Sequence, residues 1–127
     1  MDSVERAIVE TLRRHAGVEL AVLFGSRGRG TARPDSDVDL AVRGAVDRLA
    51  LAADISVACG LEVDVVDLAD VGVPLLEALV RDGRKMHEAR GGVFAVWRSH
   101  ALAQLEIDGP WYRRMRDAWL ARLAGAR

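Results

Sequence analysis

The sequence has little cysteine and lysine, and no long apolar run. Its single cysteine, Cys59, excludes an internal disulfide, and no Cys/His set near it has the spacing of a zinc site. No apolar stretch approaches the roughly 20 residues that cross a bilayer. Residues 1–10 carry acids where a secretory leader carries positive charge. We therefore expect a soluble, cytoplasmic protein that does not contact membranes.

Basic charge comes almost entirely from arginine, with seventeen Arg against one lysine, Lys85, and the formal net charge is −1. This balance gives no overall attraction to a polyanion, so we expect no direct nucleic-acid binding. The length of 127 residues is enough for one domain with one core and too short for two independent domains. Function has to be sought in local motifs.

Helical and strand patterns alternate along the chain, which predicts an α/β (α+β) fold. Asp2 is placed to cap a first helix, with Glu5 at its third position. Strands are predicted at 19–24, 37–42 and 61–68, with a short edge strand at 84–89. A helix between the second and third strands is marked by Leu49, Ala52, Ala53 and Ile55 and ends at Cys59-Gly60. Pro74 opens a further helix, and Gly83 lies at its predicted end.

The last third of the chain predicts two helices, Val93 to about Ile107 and Trp111 to Leu123, separated by "DGP" at 108–110. Trp111, Met115, Trp119 and Leu123 recur at every fourth position. Such a stripe indicates core packing more often than a docking surface, although a short chain has limited core for three tryptophans. We treat 1–127 as one domain, with a catalytic core at 1–90 and a helical extension at 91–127.

The segment "FGSRGRGTARPDSDVDLAV", residues 24–42, places two acids at the start of a strand. Asp37 and Asp39 share one face, with Cα atoms about 6.6 Å apart. Paired carboxylates repel each other, but their hard oxygen atoms suit Mg²⁺. Asp64 in the third strand points away from the core and would complete a two-metal site. Asp67, on the opposite face of that strand, is the alternative third ligand.

The loop before these acids has features of a phosphate site. Gly25 permits a tight turn, and Ser26 begins a short helix with free backbone N–H groups. Arg27, Arg29 and Arg33 are candidates for contacts to a polyphosphate. The loop matches neither the Walker A motif nor the Rossmann fingerprint. Taken singly, the acids are also compatible with a solvated strand end, and the Arg-Gly repeats with a flexible RNA-binding segment.

Gly25-Ser26, ten intervening residues and then Asp37-Val38-Asp39 resemble the signature of the DNA polymerase β-like nucleotidyltransferases. "EVDVVDL" resembles the strand that carries their third carboxylate. The chain is most similar to the minimal nucleotidyltransferase (MNT) antitoxins that pair with HEPN-domain ribonuclease toxins. The resemblance implies a mixed sheet flanked by helices, two Mg²⁺ ions, and transfer of AMP from ATP to a tyrosine of the HEPN toxin.

Three functions therefore remain open at this point. The first is a protein AMP-transferase antitoxin, with Asp37, Asp39 and Asp64 as catalytic metal ligands and Gly25, Ser26, Arg27 and Arg29 as nucleotide contacts. The second is a nucleotidyltransferase that modifies a small molecule such as an antibiotic. The third is an antitoxin that acts by binding alone.

Overall fold

A computed structural model describes residues 1–125, and residues 126–127, the end of the predicted extension, lie outside the described part. The chain forms five helices and four strands within that part. In order these are α1 (Ser3–Arg13), β1 (Val18–Phe24), α2 (Gly25–Arg29), β2 (Val38–Gly44), α3 (Arg48–Cys59), β3 (Val63–Asp67), α4 (Val73–Asp82), β4 (Arg84–Glu88) and α5 (Val93–Gly125).

The four strands form one mixed sheet in the order β3-β2-β1-β4. β1 pairs antiparallel with β2 and with β4, whereas β2 and β3 are parallel. Parallel neighbours need a crossover, and α3 supplies it. The sheet confirms the predicted fold class, and β4 confirms the predicted edge strand.

Hydrophobic clusters cover both faces of the sheet. One face packs against α1 and α3 through Ile8, Leu12, Leu51 and Ile55. The other face packs against α4 and α5 through Leu76, Leu79, Trp97 and Ala101. β1 contributes buried side chains to both clusters, which explains its nearly continuous apolar sequence.

Local capping signals are confirmed at two helices. Asp2 Oδ1 accepts a hydrogen bond from the Glu5 amide at 2.8 Å, which satisfies one free donor at the start of α1. Gly83 ends α4, but its φ of −64° lies outside the left-handed region. Glycine is needed there for space, because a Cβ would lie 2.2 Å from the Leu79 carbonyl oxygen.

Only some of the residues that predict α3 face the core. Leu51 and Ile55 are fully buried, whereas Leu49 is 84% exposed. The predicted helix and its end at Cys59-Gly60 are confirmed, but Leu49 does not contribute to the core. Leu51 and Ile55, four residues apart, define the buried side, and Leu49 lies almost opposite them on the helix.

The C-terminal region is one helix, so the predicted break at "DGP" is wrong. α5 runs through Gly109 and Pro110 without interruption. A proline inside a helix removes one backbone hydrogen bond and typically costs about 3 kcal/mol. Contacts with α4 lie on both sides of Pro110: Arg98 donates to the Val80 carbonyl at 3.3 Å, and Arg113 donates to Glu77 Oε1 at 3.2 Å. These tethers support a continuous helix.

The aromatic stripe on α5 is exposed. Trp111 is 58% exposed and Trp119 is 54% exposed, and Met115 and Leu123 are close to half exposed. The interpretation of this stripe as core packing is therefore wrong. Among residues 1–125, no helix combines the length and apolar character needed to span a membrane.

Candidate active site

Strand register brings the predicted acids together at one end of the sheet. Phe24, the last residue of β1, pairs with Asp39 across the antiparallel ladder. On the other side of β2, Asp39 pairs with Asp64 across the parallel ladder. Asp37 directly precedes β2 and lies on the same face as Asp39. Thus Asp37, Asp39 and Asp64 converge where β2 and β3 begin, next to the start of α2.

A cavity of about 350 Å³ opens at this point. Its acidic lining residues are Asp37, Asp39, Glu62 and Asp64, and no lysine or arginine lines it. On its other side the wall comes from α3, which contributes Ala52, Ala53 and Ser56. The cavity is therefore strongly acidic on one side and nearly uncharged on the other.

Among the three aspartates, Asp39 has a raised pKa. Partial burial raises the pKa of the Asp39 carboxyl above its ordinary 3.8, and the nearby charges of Asp64 and Asp37 raise it further. Arg29 opposes this rise. None of the three aspartates forms an ion pair in the described part of the chain. A cation among them would relieve the repulsion.

The donor set fits Mg²⁺ in its chemistry. It consists of carboxylate oxygens, which this hard ion prefers, and it has no histidine or cysteine that would favour a softer metal. Over residues 1–125, no three His, Cys, Asp or Glu side chains are arranged to hold an ion as they stand. Mutual repulsion of carboxylates opposes such an arrangement. Asp37, Asp39 and Asp64 are the residues that would hold Mg²⁺.

The short helix α2 follows β1 directly, as the loop motif predicts. Gly25 begins it with a φ of +65°, a conformation that glycine adopts without strain. A Cβ at Gly25 would lie 2.4 Å from Asp39 Oδ2, so the backbone passes close to the carboxylate. Ser26, the next residue, is half-buried beside this contact.

The two predicted arginine contacts differ in their surroundings. Arg27 is buried, and its Nη2 donates to the carbonyls of Ser36 at 2.9 Å and Pro34 at 3.2 Å. Its guanidinium thus holds the loop that leads into β2, and this geometry does not support the predicted nucleotide contact. Arg29 is exposed and close enough to oppose the pKa rise of Asp39.

The third carboxylate beside the pair is that of Asp64. Asp67 pairs with Val42 at the other end of β3 and does not line the cavity. Its Oδ1 accepts from the Ala69 amide at 3.0 Å, and so caps the short 3-10 turn that follows β3. The geometry therefore favours Asp64 over the alternative.

Sequence reasoning did not predict the contributions of Glu62 and α3. Glu62 directly precedes β3 and lies two residues before Asp64, so both side chains lie on the same face. The two-residue alternation could therefore have predicted that Glu62 lines the cavity. Ala52, Ala53 and Ser56 carry no such signal, because only tertiary packing sets α3 beside the acids.

Comparison with known proteins shows the family to which this chain belongs. Residues 6–90 match the family described as "Polymerase beta, Nucleotidyltransferase". The curated protein adenylyltransferase MntA of Shewanella oneidensis is 33% identical over 88 residues, which cover 65% of this chain and 63% of MntA. The matched region thus spans less than two thirds of that relative.

Solved structures share the fold over nearly the whole chain. A chain from the crystal structure of a toxin-antitoxin with AMP-PNP superposes with a TM-score of 0.77 and 25% identity, covering 91% of this chain and 98% of that one. A chain from tri-AMPylated Shewanella oneidensis HEPN toxin in complex with MNT antitoxin gives a TM-score of 0.72 and 23% identity, covering 92% of this chain and 96% of that one. The match over residues 6–90 decides the assignment: this chain belongs to the polymerase beta nucleotidyltransferase family.

Proposed function

We propose that this chain is an antitoxin that transfers AMP from ATP to a tyrosine hydroxyl of a HEPN-domain toxin. The observation that carries the proposal is the register that sets Asp39 beside Asp64, with Asp37 on the same face. Two similar proteins support the reaction and the setting. One is named a protein adenylyltransferase, and the other belongs to a toxin-antitoxin structure with AMP-PNP.

The reaction is an in-line displacement at phosphorus. The acceptor oxygen forms a bond to the α-phosphorus of ATP, the bond from that phosphorus to the bridging oxygen breaks, and pyrophosphate leaves. When bound, two Mg²⁺ ions would neutralise the triphosphate and lower the pKa of the attacking hydroxyl. Asp64, on the strand next to Asp39, would accept the hydroxyl proton.

Other residues orient the nucleotide and keep the loop in place. Gly25 and Ser26 hold the triphosphate beside Asp39, and Arg29 offsets charge on the leaving pyrophosphate. Arg27 acts indirectly, because its hydrogen bonds to Ser36 and Pro34 fix the segment that precedes Asp37.

The test is label transfer from α-labelled ATP with Mg²⁺ to a purified HEPN-domain toxin. We expect Asp37→Asn, Asp39→Asn and Asp64→Asn each to abolish labelling while the melting curve stays cooperative, because amides ligate Mg²⁺ poorly. Asp67→Asn is the matched control from the same strand and should keep near wild-type transfer. Labelling by any of the first three variants at the wild-type rate would overturn the site assignment.

Label on a small-molecule hydroxyl in place of the toxin would contradict the proposed acceptor. Binding of the toxin with no label transferred by the wild type would instead indicate an antitoxin that acts by association alone.

A further inference from the structure

Helix α3 carries large apolar side chains on its exposed side as well as on its buried side. Leu49 is 84% exposed and Val57 is 88% exposed, although both are large apolar side chains. Ala53 lies between them and is also exposed. The three positions are four residues apart, so they lie along one side of the helix. We call Leu49, Ala53 and Val57 the α3 stripe.

The α3 stripe borders the acidic cavity. Ala53 belongs both to the stripe and to the cavity wall. Ala52 and Ser56, which also line the cavity, are its neighbours around the same helix. A molecule that covers the stripe would therefore reach the rim of the cavity that contains Asp39 and Asp64.

Charge around the cavity restricts what covers the stripe. Apart from the carboxylates that would hold Mg²⁺, the cavity walls carry no lysine or arginine that would contact the phosphates of a polynucleotide acceptor. On the exposed side of α3, the acid Asp54 already contacts His15 at 2.8 Å, and Arg48 contacts Asp67 at 3.5 Å. The uncharged stripe suits the apolar surface of a protein.

We propose that the α3 stripe is the surface on which the acceptor protein docks to present its hydroxyl to the acidic cavity. This inference rests on the proposed function, which requires an acceptor delivered by another protein. Leu49 and Val57, which flank the cavity-lining Ala53 on α3, would bury apolar area on docking, and the small Ala52, Ala53 and Ser56 leave room for an entering side chain.

The experiment measures transfer kinetics with the full chain, ATP, Mg²⁺ and the HEPN-domain toxin. The double variant Leu49→Gln/Val57→Gln removes apolar contact without changing the charge of the cavity. The matched control is Val96→Gln/Leu102→Gln, which replaces one exposed valine and one exposed leucine on α5. We expect the α3 variant to lower kcat/KM for the toxin at least tenfold through KM, with an unchanged KM for ATP and an unchanged Tm. The control should stay within twofold of wild type.

Wild-type kinetics in the α3 double variant, or an equal loss in the control, would overturn the docking proposal. Hydrogen exchange gives a readout that is independent of chemistry. Mixing the Asp39→Asn protein with the toxin should slow amide exchange in α3, and unchanged exchange there would also overturn it. If the wild type transfers no label but the toxin still protects α3, the proposed reaction fails while the docking surface stands.

Discussion

The backbone of Gly25 lies against the carboxylate of Asp39, so that a Cβ at position 25 would come within 2.4 Å of Asp39 Oδ2. Because Asp39 pairs with both Phe24 and Asp64, this contact joins the start of α2 to the acidic cavity. The close approach ties the position of the loop to that of the central carboxylate.

Gly25→Ala is therefore expected to damage catalysis more than folding. Both Gly25 and Gly30 have positive φ, at 65° and 76°, but a Cβ at Gly30 would meet nothing within 4 Å. Each alanine substitution should cost about 1–2 kcal/mol of folding free energy from backbone strain. Only Gly25→Ala should also displace Asp39 and lower transfer by about 100-fold. Label transfer and thermal melts of both variants check this, and equal activity in the two would contradict it.

The sequence predicts the placement of these residues well where the signals are local. Two-residue alternation in β2 and β3 is enough to set Asp39 and Asp64 on one face, and Asp2 and Pro74 mark helix starts by their own chemistry. These features depend on a few neighbouring residues, so a single sequence contains the information.

Other features depend on contacts between distant residues and could not be predicted in this way. The charge of Arg27 suggests a phosphate, but its donors turn inward to the carbonyls of Pro34 and Ser36. Pro110 predicts a helix break, yet tethers such as that from Arg113 to Glu77 accompany a continuous helix. The place of α3 beside the cavity likewise follows from the crossover between β2 and β3.

The raised pKa of Asp39 gives a pH-dependent stability. Because the pKa of Asp39 is raised in the folded state, the folded protein binds this proton more tightly than the unfolded chain does. The stability of the fold therefore falls as pH rises from the ordinary pKa of 3.8 through the higher pKa of the folded protein. In metal-free buffer that contains a chelator, the Asp39→Asn variant should therefore melt at a higher temperature than the wild type at neutral pH. The difference should shrink as pH falls below that window. A lower Tm for Asp39→Asn at neutral pH would contradict the assigned repulsion.

Mg²⁺ with ATP should stabilise the fold by linkage. Binding to the native state alone adds about 1.4 kcal/mol when the ligand is at ten times its Kd, enough to raise Tm by several degrees. Asp37→Asn should lose most of this shift, whereas Asp67→Asn should keep it. Thermal melts at several concentrations of Mg²⁺ and ATP measure the effect, and equal shifts in both variants would locate binding elsewhere.

Arg27→Lys should weaken the fold because lysine cannot reproduce the planar fork of donors that reaches Ser36 and Pro34. Loss of the charged hydrogen bonds of this buried guanidinium should cost about 2–3 kcal/mol of unfolding free energy. Arg29→Lys is the control, since Arg29 is exposed and its replacement should leave stability unchanged. Urea unfolding of the two variants separates these outcomes, and equal stability would remove the structural role of Arg27.

The exposed stripe on α5 leads to a prediction about binding of the toxin. Trp111 and Trp119 are each more than half exposed, so Trp111→Ala and Trp119→Ala should barely move the Tm of the free protein. Aromatic side chains dominate the energetics of many interfaces, and at least one of these changes should weaken association with the HEPN-domain toxin by about 2 kcal/mol, or roughly 30-fold in Kd. Calorimetric titration of each variant with the toxin checks the affinity, and scanning calorimetry of the free variants checks the fold.

If these tryptophans were buried, truncating one to alanine would instead lower the stability of the protein by about 3–5 kcal/mol. A markedly lower Tm of either free variant would therefore contradict the exposure of this stripe. Unchanged affinity in both variants would mean that the toxin contacts other surfaces, such as the α3 stripe beside the acidic cavity.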